Sequence, residues 1–205
     1  MHPATTTVIL AGGLGTRIGG DKALQLLQGR PLLDWVLEVV QPPGDEVLIS
    51  ANSHPERYAR CGCRVIADRM TDYAGPLAGL QAAMMAAACE WVASVPCDAP
   101  FLPHDLIARL HAAINGGAEA SVAVTDGRRQ PAIALYHRSV LPKLNAYLAG
   151  GGRKMAAWLE NLQVSEVTFA DAADFINLNS VRELALADQI LQNGGTHDDI
   201  RRAIA

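Results

Sequence analysis

The chain has 205 residues, half of them apolar and 19% charged, and a formal net charge of −4. That length builds one large core or two small ones. The acidic balance supplies no broad basic field, so a nucleic-acid backbone is not an expected partner, whereas a small anion met by a few local cations is.

In chain order, short β-branched runs alternate with helix-length segments. The opening segment MHPATTT has no basic region leading into an apolar stretch, so it does not read as a secretory leader. Strands are expected at 5–11 (TTTVILA), 46–50 (EVLIS), 64–68 (RVIAD), 91–98 (WVASVPCD), 120–125 (ASVAVT), 131–136 (PAIALY) and 163–169 (QVSEVTF). Helices are expected near 31–41, 54–60, 76–88, 103–114, 138–149 and 153–161, with a last one from about 180. Nearly all-apolar strands between amphipathic helices imply a mostly parallel (mixed) sheet covered on both faces, a Rossmann-like three-layer α/β sandwich. One domain is expected over 1–205, with a core of about 5–192 and a tail of about 193–205 whose GGTHDDIRRAIA is expected to fray.

Other classes find little support. Cys61, Cys63, Cys89 and Cys97 show no CxxC pair, and the six histidines form no HxH or HExxH pattern, so a structural zinc site is not indicated. The longest apolar tract, LQAAMMAAAC, is too short to span a bilayer. The expectation is a soluble cytoplasmic protein with no membrane partner.

In a doubly wound sheet, ligands sit beyond the carboxyl ends of the strands. The first such end is glycine-rich, VILAGGLGTRIGGDK at 8–22. It is not a P-loop, since the chain contains no Gly-Lys dipeptide, and it departs from the dinucleotide fingerprint by placing Ile18 where glycine or alanine is required. What remains is a loop in which Gly12, Gly13 and Gly15 let backbone amides approach a phosphate, with Arg17 and Lys22 to neutralise a triphosphate. A glycine-rich turn that binds nothing is the alternative.

Asp98 closes the apolar run before Ala-Pro and suits a Mg²⁺ ligand; the competing reading is a capping acid for the helix that follows. Asp68, also at a strand end, is either a contact for ribose or a base edge or an ordinary turn aspartate. GPLAGL at 75–80 reads as a helix start with Pro76 at its first position, or as a close-approach wall including Gly79. In NLNS, Asn177 and Asn179 fall on one side of an extended segment and Ser180 is a plausible N-cap. Arg128, Arg129 and Gln130 are placed in a turn between two strands, where they face an acceptor or only solvent; Arg153 and Lys154 are similar candidates. No D-x-D occurs, which weighs against a glycosyltransferase using that motif.

LAGGLGTRIGGDK resembles the L-A-[AG]-G-x-x-x-R-[MI]-G-x-D-K signature of Rossmann-type nucleotidyltransferases. Together with DYAGPLAGL, VPCDAPFL and NLNSVREL in the same order, it closely resembles the MobA family, the molybdenum cofactor guanylyltransferases, from about residue 5 to residue 187. The resemblance implies transfer of GMP from GTP to Mo-molybdopterin with release of pyrophosphate, assisted by Mg²⁺. It implies GTP contacts from Leu10, Ala11, Gly12, Gly13, Gly15, Lys22, Ser50, Asn52, Asp68, Gly79 and Asp98, catalytic roles for Arg17, Lys22 and Asp98, and metal binding by Asp98. Arg128, Gln130, Asn177 and Asn179 are then candidates for the acceptor side. Gly12 matches the guanylyl-transferring loop LAGG rather than the cytidylyl-transferring LAAG. The asparagine that the family places near the base aligns with Ser50, with Asn52 two residues on, so either side chain can meet the base. Transient contact with a molybdenum insertase or with chaperones of molybdoenzymes also follows from the resemblance alone.

Overall fold

A computed structural model describes residues 3–12, 21–41, 46–52, 55–68 and 75–204. Strand β1 (Thr5–Leu10) is followed by a 3-10 turn at Lys22–Leu24 and by a small hairpin of β2 (Leu26–Leu27) and β3 (Arg30–Pro31). Then come α1 (Leu32–Val40), β4 (Glu46–Ser50), a 3-10 segment at Pro55–Cys61, β5 (Arg64–Ile66), α2 (Pro76–Ala86), β6 (Trp91–Pro96) and α3 (Leu106–Ala112). The second half comprises β7 (Ala120–Thr125), β8 (Arg128–His137), α4 (Leu141–Ala149), α5 (Met155–Leu159), β9 (Val164–Thr168), α6 (Val181–Gln192) and α7 (His197–Ile204).

Seven strands form one sheet in the order β5-β4-β1-β6-β8-β7-β9. Pairings β4–β5, β1–β4, β1–β6 and β7–β9 are parallel, and β8 runs antiparallel to both of its neighbours. Because side chains alternate across a strand, each strand feeds two cores. Ile9, Ile49, Ala93, Val95, Ile133 and Leu135 pack with Leu33, Val36 and Val40 of α1 and Leu106 and Leu110 of α3. Val8, Leu48, Val92, Val122, Ala134 and Tyr136 pack with Leu77, Leu80 and Met84 of α2, Leu144 and Leu148 of α4, and Trp158 of α5. Across β1, β4, β6 and β7 both faces are covered, which is why these strands lack a solvent-facing polar side in the sequence.

Local signals account for the helix ends. Pro76 stands in the first turn of α2, and Ser180 caps α6 by accepting from Glu183 N at 3.2 Å. Among the described residues no helix is long and apolar enough to cross a membrane.

Two expectations are corrected. Arg128, Arg129 and Gln130 are strand residues, since the turn closes at Asp126 and Gly127, whose φ of 49° and 68° are the two left-handed positions of a two-residue hairpin. Residues 197–204, expected to fray, form α7, and Ile200 is fully buried with Leu27, Leu32, Phe101, Leu178 and Leu184.

Candidate active site at the carboxyl ends of the strands

The parallel pairing aligns four strand ends. Leu10 lies opposite Ser50 on one side and Pro96 on the other, and Ser50 lies opposite Ile66. Past these ends the backbones stay tied: Ala11 N donates to Ser50 O at 2.9 Å, Ala51 N to Ile66 O at 2.9 Å, and Cys97 N to Leu10 O at 3.3 Å. Residues just beyond each strand therefore converge by construction.

They line a cavity of about 410 Å³, large enough for a small organic ligand. Its wall includes nine residues expected from the sequence: Leu10, Ala11, Gly12, Lys22, Ser50, Asn52, Asp68, Gly79 and Asp98. Gly13, Gly15 and Arg17 lie outside the described residues.

On one side, Lys22 Nζ donates to Asp98 Oδ2 and, at 2.8 Å, to Asn179 Oδ1. Asp98 is only 7% exposed, and a buried carboxylate needs such a compensating charge. Its backbone carbonyl accepts from Leu178 N at 2.9 Å, which stitches the Asn177–Asn179 segment to the end of β6. Asp98 does not cap α3, because Asp105 holds that position. Asn177 Oδ1 is buried without a hydrogen-bond partner. Asn179 N donates to Glu183 Oε2 at 2.7 Å, so the asparagine is held by the first turn of α6.

On the other side, Asn52 and Asp68 bond reciprocally. Asn52 Nδ2 donates to Asp68 Oδ2 and Asp68 N donates to Asn52 Oδ1, each at 2.8 Å, while Ser50 Oγ reaches Asp68 Oδ1 at 3.4 Å. Both side chains over which the family alignment is ambiguous thus converge on one carboxylate. Gly79 closes the wall behind them. A Cβ there would collide with Ser50 Oγ and lie 3.1 Å from Ser50 Cβ and 3.2 Å from Leu10 Cδ2. A Cβ at Gly12 would stand 3.3 Å from Asn52 Nδ2, so the space that this glycine leaves is used by the amide holding Asp68.

The acceptor candidates are less concentrated. Arg128 and Gln130 do not line the cavity, although Ala132 of the same strand does. Arg129 pairs with Glu166 at 2.7 Å and Gln130 Nε2 donates to Thr125 Oγ1 at 2.7 Å. Arg153 Nη1 is engaged by the carbonyls of Leu148 and Gly152, but its own carbonyl abuts Gly75 in the cavity wall. Lys154 is exposed.

The wall reading of GPLAGL at 75–80 covers Gly75, Pro76 and Gly79, whereas sequence reasoning missed the roles of Pro96, Cys97 and Ala132 as wall residues. Cys97 lies within the VPCDAPFL motif, and burial, with the Asp98 charge beside it, pushes its thiol pKa far up, so it lines the wall as a neutral group. Ala132 carried no signal, because its place depends on the antiparallel insertion of β8.

Comparison with known proteins narrows the class. Residues 7–166 match the family described as MobA-like NTP transferase domain. The molybdenum cofactor guanylyltransferase of Burkholderia ambifaria is 48% identical over 194 residues, covering 89% of this chain and 95% of its own. The crystal structure of molybdopterin-guanine dinucleotide biosynthesis protein A from Archaeoglobus fulgidus is similar at TM-score 0.74 and 24% identity, covering 92% of this chain and 99% of that one. A 4-diphosphocytidyl-2C-methyl-D-erythritol synthase from Anaerococcus prevotii is similar at TM-score 0.72 and 15% identity, covering 93% and 96%, so the fold alone selects no base.

The crevice and these likenesses define a nucleotidyltransferase on a Rossmann-like sheet. The chain belongs to the family of MobA-like NTP transferases, and within it to the molybdenum cofactor guanylyltransferases.

Proposed function

We propose that this chain is a single-domain cytoplasmic enzyme that transfers GMP from GTP to the terminal phosphate of Mo-molybdopterin, forming the guanine dinucleotide cofactor and pyrophosphate. The observation that carries the reading is the two-sided cavity, with Lys22 and Asp98 at one side and a carboxylate, Asp68, held by Asn52 and Ser50 at the other. Guanine presents N1–H and N2–H₂ side by side, two donors that one carboxylate accepts together. Asp68 retains acceptor capacity for them, because each carboxylate oxygen has a second lone-pair site beyond the bond it already accepts. Cytosine offers a single donor group on that edge and gains less.

In the reaction, an acceptor phosphate oxygen bonds to the α-phosphorus of GTP as the bond to the bridging α–β oxygen breaks. The nucleophile is already anionic, so the chain's task is to position and neutralise rather than to supply a covalent intermediate. Lys22 and Arg17 meet the triphosphate and the departing pyrophosphate, and Gly12, Gly13 and Gly15 let the backbone approach the phosphates. Asn179 steadies the Lys22 ammonium.

Asp98 suits Mg²⁺. Among the described residues no group of three or more His, Cys, Asp or Glu is placed as a metal cage. Mg²⁺ needs none, since it takes one or two carboxylates and fills its remaining positions with phosphate and water. The partnerless Asn177 Oδ1 is a spare oxygen donor on the segment stitched to Asp98. When bound, the ion adds charge neutralisation at the phosphates. Arg128, Gln130, Asn177 and Asn179 are the candidates for the acceptor side, and a transient partnership with a molybdenum insertase or a molybdoenzyme chaperone fits this place in the chemistry.

Thermal-shift measurement with GTP, CTP, UTP and ATP in the presence of Mg²⁺ tests the base, with GTP expected to stabilise most. Pyrophosphate release on adding Mo-molybdopterin tests the transfer. Equal or greater stabilisation by CTP replaces the reading with a cytidylyl transfer, and nucleotide binding without pyrophosphate release replaces it with a carrier.

A further inference from the structure

One part-buried hydrogen bond is made by the residue that precedes Lys22 and belongs to none of the roles above. Tyr58, in the 3-10 segment Pro55–Cys61, is 1% exposed and donates its hydroxyl to Asp21 Oδ1 at 2.6 Å. Asp21 immediately precedes Lys22 and stands at the N-cap of the 3-10 turn Lys22–Leu24, with φ −67° and ψ 107°. An aspartate there would ordinarily turn its carboxylate onto the free amides of the turn. This one makes no such cap bond and is committed to Tyr58 instead. The phenol ring belongs to the same apolar cluster as Ala23, Cys97 and Ala99, the neighbours in sequence of Lys22 and Asp98.

We propose that Tyr58 is a positioning residue for Lys22: its hydroxyl pins Asp21, and through it the start of the turn that aims the ammonium at Asp98 and the triphosphate. This rests on the reading of Lys22 as a triphosphate contact and adds a coupling to it. β4 ends at Ser50, with Asn52 two residues on and Tyr58 in the 3-10 segment Pro55–Cys61, so residues that follow one strand support both the Asp68 side and the Lys22 side. The cavity's two walls are thereby linked outside the cavity.

Tyr58→Phe keeps the buried ring and deletes only the hydroxyl; Asp21, less buried, then rehydrates. Turnover of the nucleotide giving the largest thermal shift, read as pyrophosphate release, is expected to fall about tenfold at saturation, short of the roughly 100-fold that a 1 Å misplacement of a catalytic group can cost. The melting temperature should change little. Asp21→Ala should match this loss, whereas Asp21→Asn, whose amide oxygen still accepts from Tyr58, should recover most of it.

The deciding measurement is the cycle with Lys22→Ala. If Tyr58 acts through Lys22, Tyr58→Phe costs less than about twofold once Lys22 is already alanine, because a shared effect is lost only once. A tenfold cost persisting in that background overturns the proposal, as does full turnover in Tyr58→Phe or failure of Asp21→Asn to recover. Normal turnover in Lys22→Ala alone removes both this inference and the role of Lys22, whereas impaired Lys22→Ala with normal Tyr58→Phe removes this inference only.

Discussion

At the scale of single residues, charge and space at the strand ends decide what a substitution does. Asp98→Asn preserves shape and can still accept from Lys22, but it removes the only negative charge beside that ammonium described in the cavity wall. Loss of several kcal/mol of transition-state stabilisation corresponds to about 100-fold or more in rate. Turnover at saturating Mg²⁺ should drop by that order with an unchanged circular dichroism spectrum, and near-normal turnover in a folded variant would remove Asp98 from the chemistry. Lys22→Ala should weaken GTP binding or turnover, while Lys143→Ala, which breaks an exposed pair with Glu119, should leave both intact. Similar small effects in the two variants would end the distinction. Gly79→Ala sets two effects against each other. Alanine gains about 1 kcal/mol of helix propensity, but a Cβ pressed onto Ser50 and Leu10 costs roughly 1–3 kcal/mol. The clash outweighs the gain, so the variant should melt lower and bind GTP less tightly; a higher melting temperature with unchanged affinity would contradict that geometry.

At the scale of elements, the strands were readable because burial on both faces demands unbroken apolar runs, and all seven sheet strands fall where β-branched clusters predict them. Two things were not readable. Arg128–Gln130 looked like a turn because that end of β8 is polar, yet backbone pairing with β7 continues to Arg128. The β2–β3 hairpin is too short for any periodicity, and its left-handed Gln28 is an uncommon choice for such a position. Within the site, side chains next to glycine or at a strand end were legible, whereas the Asn52–Asp68 and Tyr58–Asp21 bonds join segments that no spacing relates. Glu119 illustrates how elements are fastened away from the site: it accepts from Lys143 of α4 at 2.7 Å and from Gln163 N, just before β9, at 3.2 Å. The Lys143 bond holds its pKa below the usual carboxylate value. A depressed folded pKa stabilises above the unfolded value of about 4.3 and is lost as pH falls through the folded value. The melting-temperature gap between the parent chain and Glu119→Gln should therefore be constant near neutrality and close on acidification below about pH 4.3. A gap that widened on acidification would reverse the assignment.

At the scale of the whole molecule, the third apolar cluster joins the chain's last helix to the site. α7 buries Ile200 completely against α6 and the β2–β3 region, and His197 stacks on Phe101 at 4.0 Å between ring centroids while lying 3.2 Å from Asp174. Phe101 is three residues beyond Asp98, and Leu178 of the same cluster bonds the Asp98 carbonyl. A helix of eight residues does not persist alone in water, so α7 exists only while docked, and its docking braces the loop that carries the carboxylate. Ile200→Ala removes a fully buried branched side chain, at a cost of about 2–5 kcal/mol. Because α7 can undock without unfolding the seven-stranded sheet, that cost should appear first as local opening. Amide exchange across His197–Ile204 should accelerate by about 30-fold or more, the factor that the lower bound of about 2 kcal/mol gives, while exchange in β1 and β6 stays slow. Turnover should fall with it, since an undocked α7 releases Phe101 and loosens the Asp98 loop. Acceleration spread equally over β1 and β6 would show that α7 is inseparable from the central sheet, and unchanged exchange in α7 would show that Ile200 does not hold it.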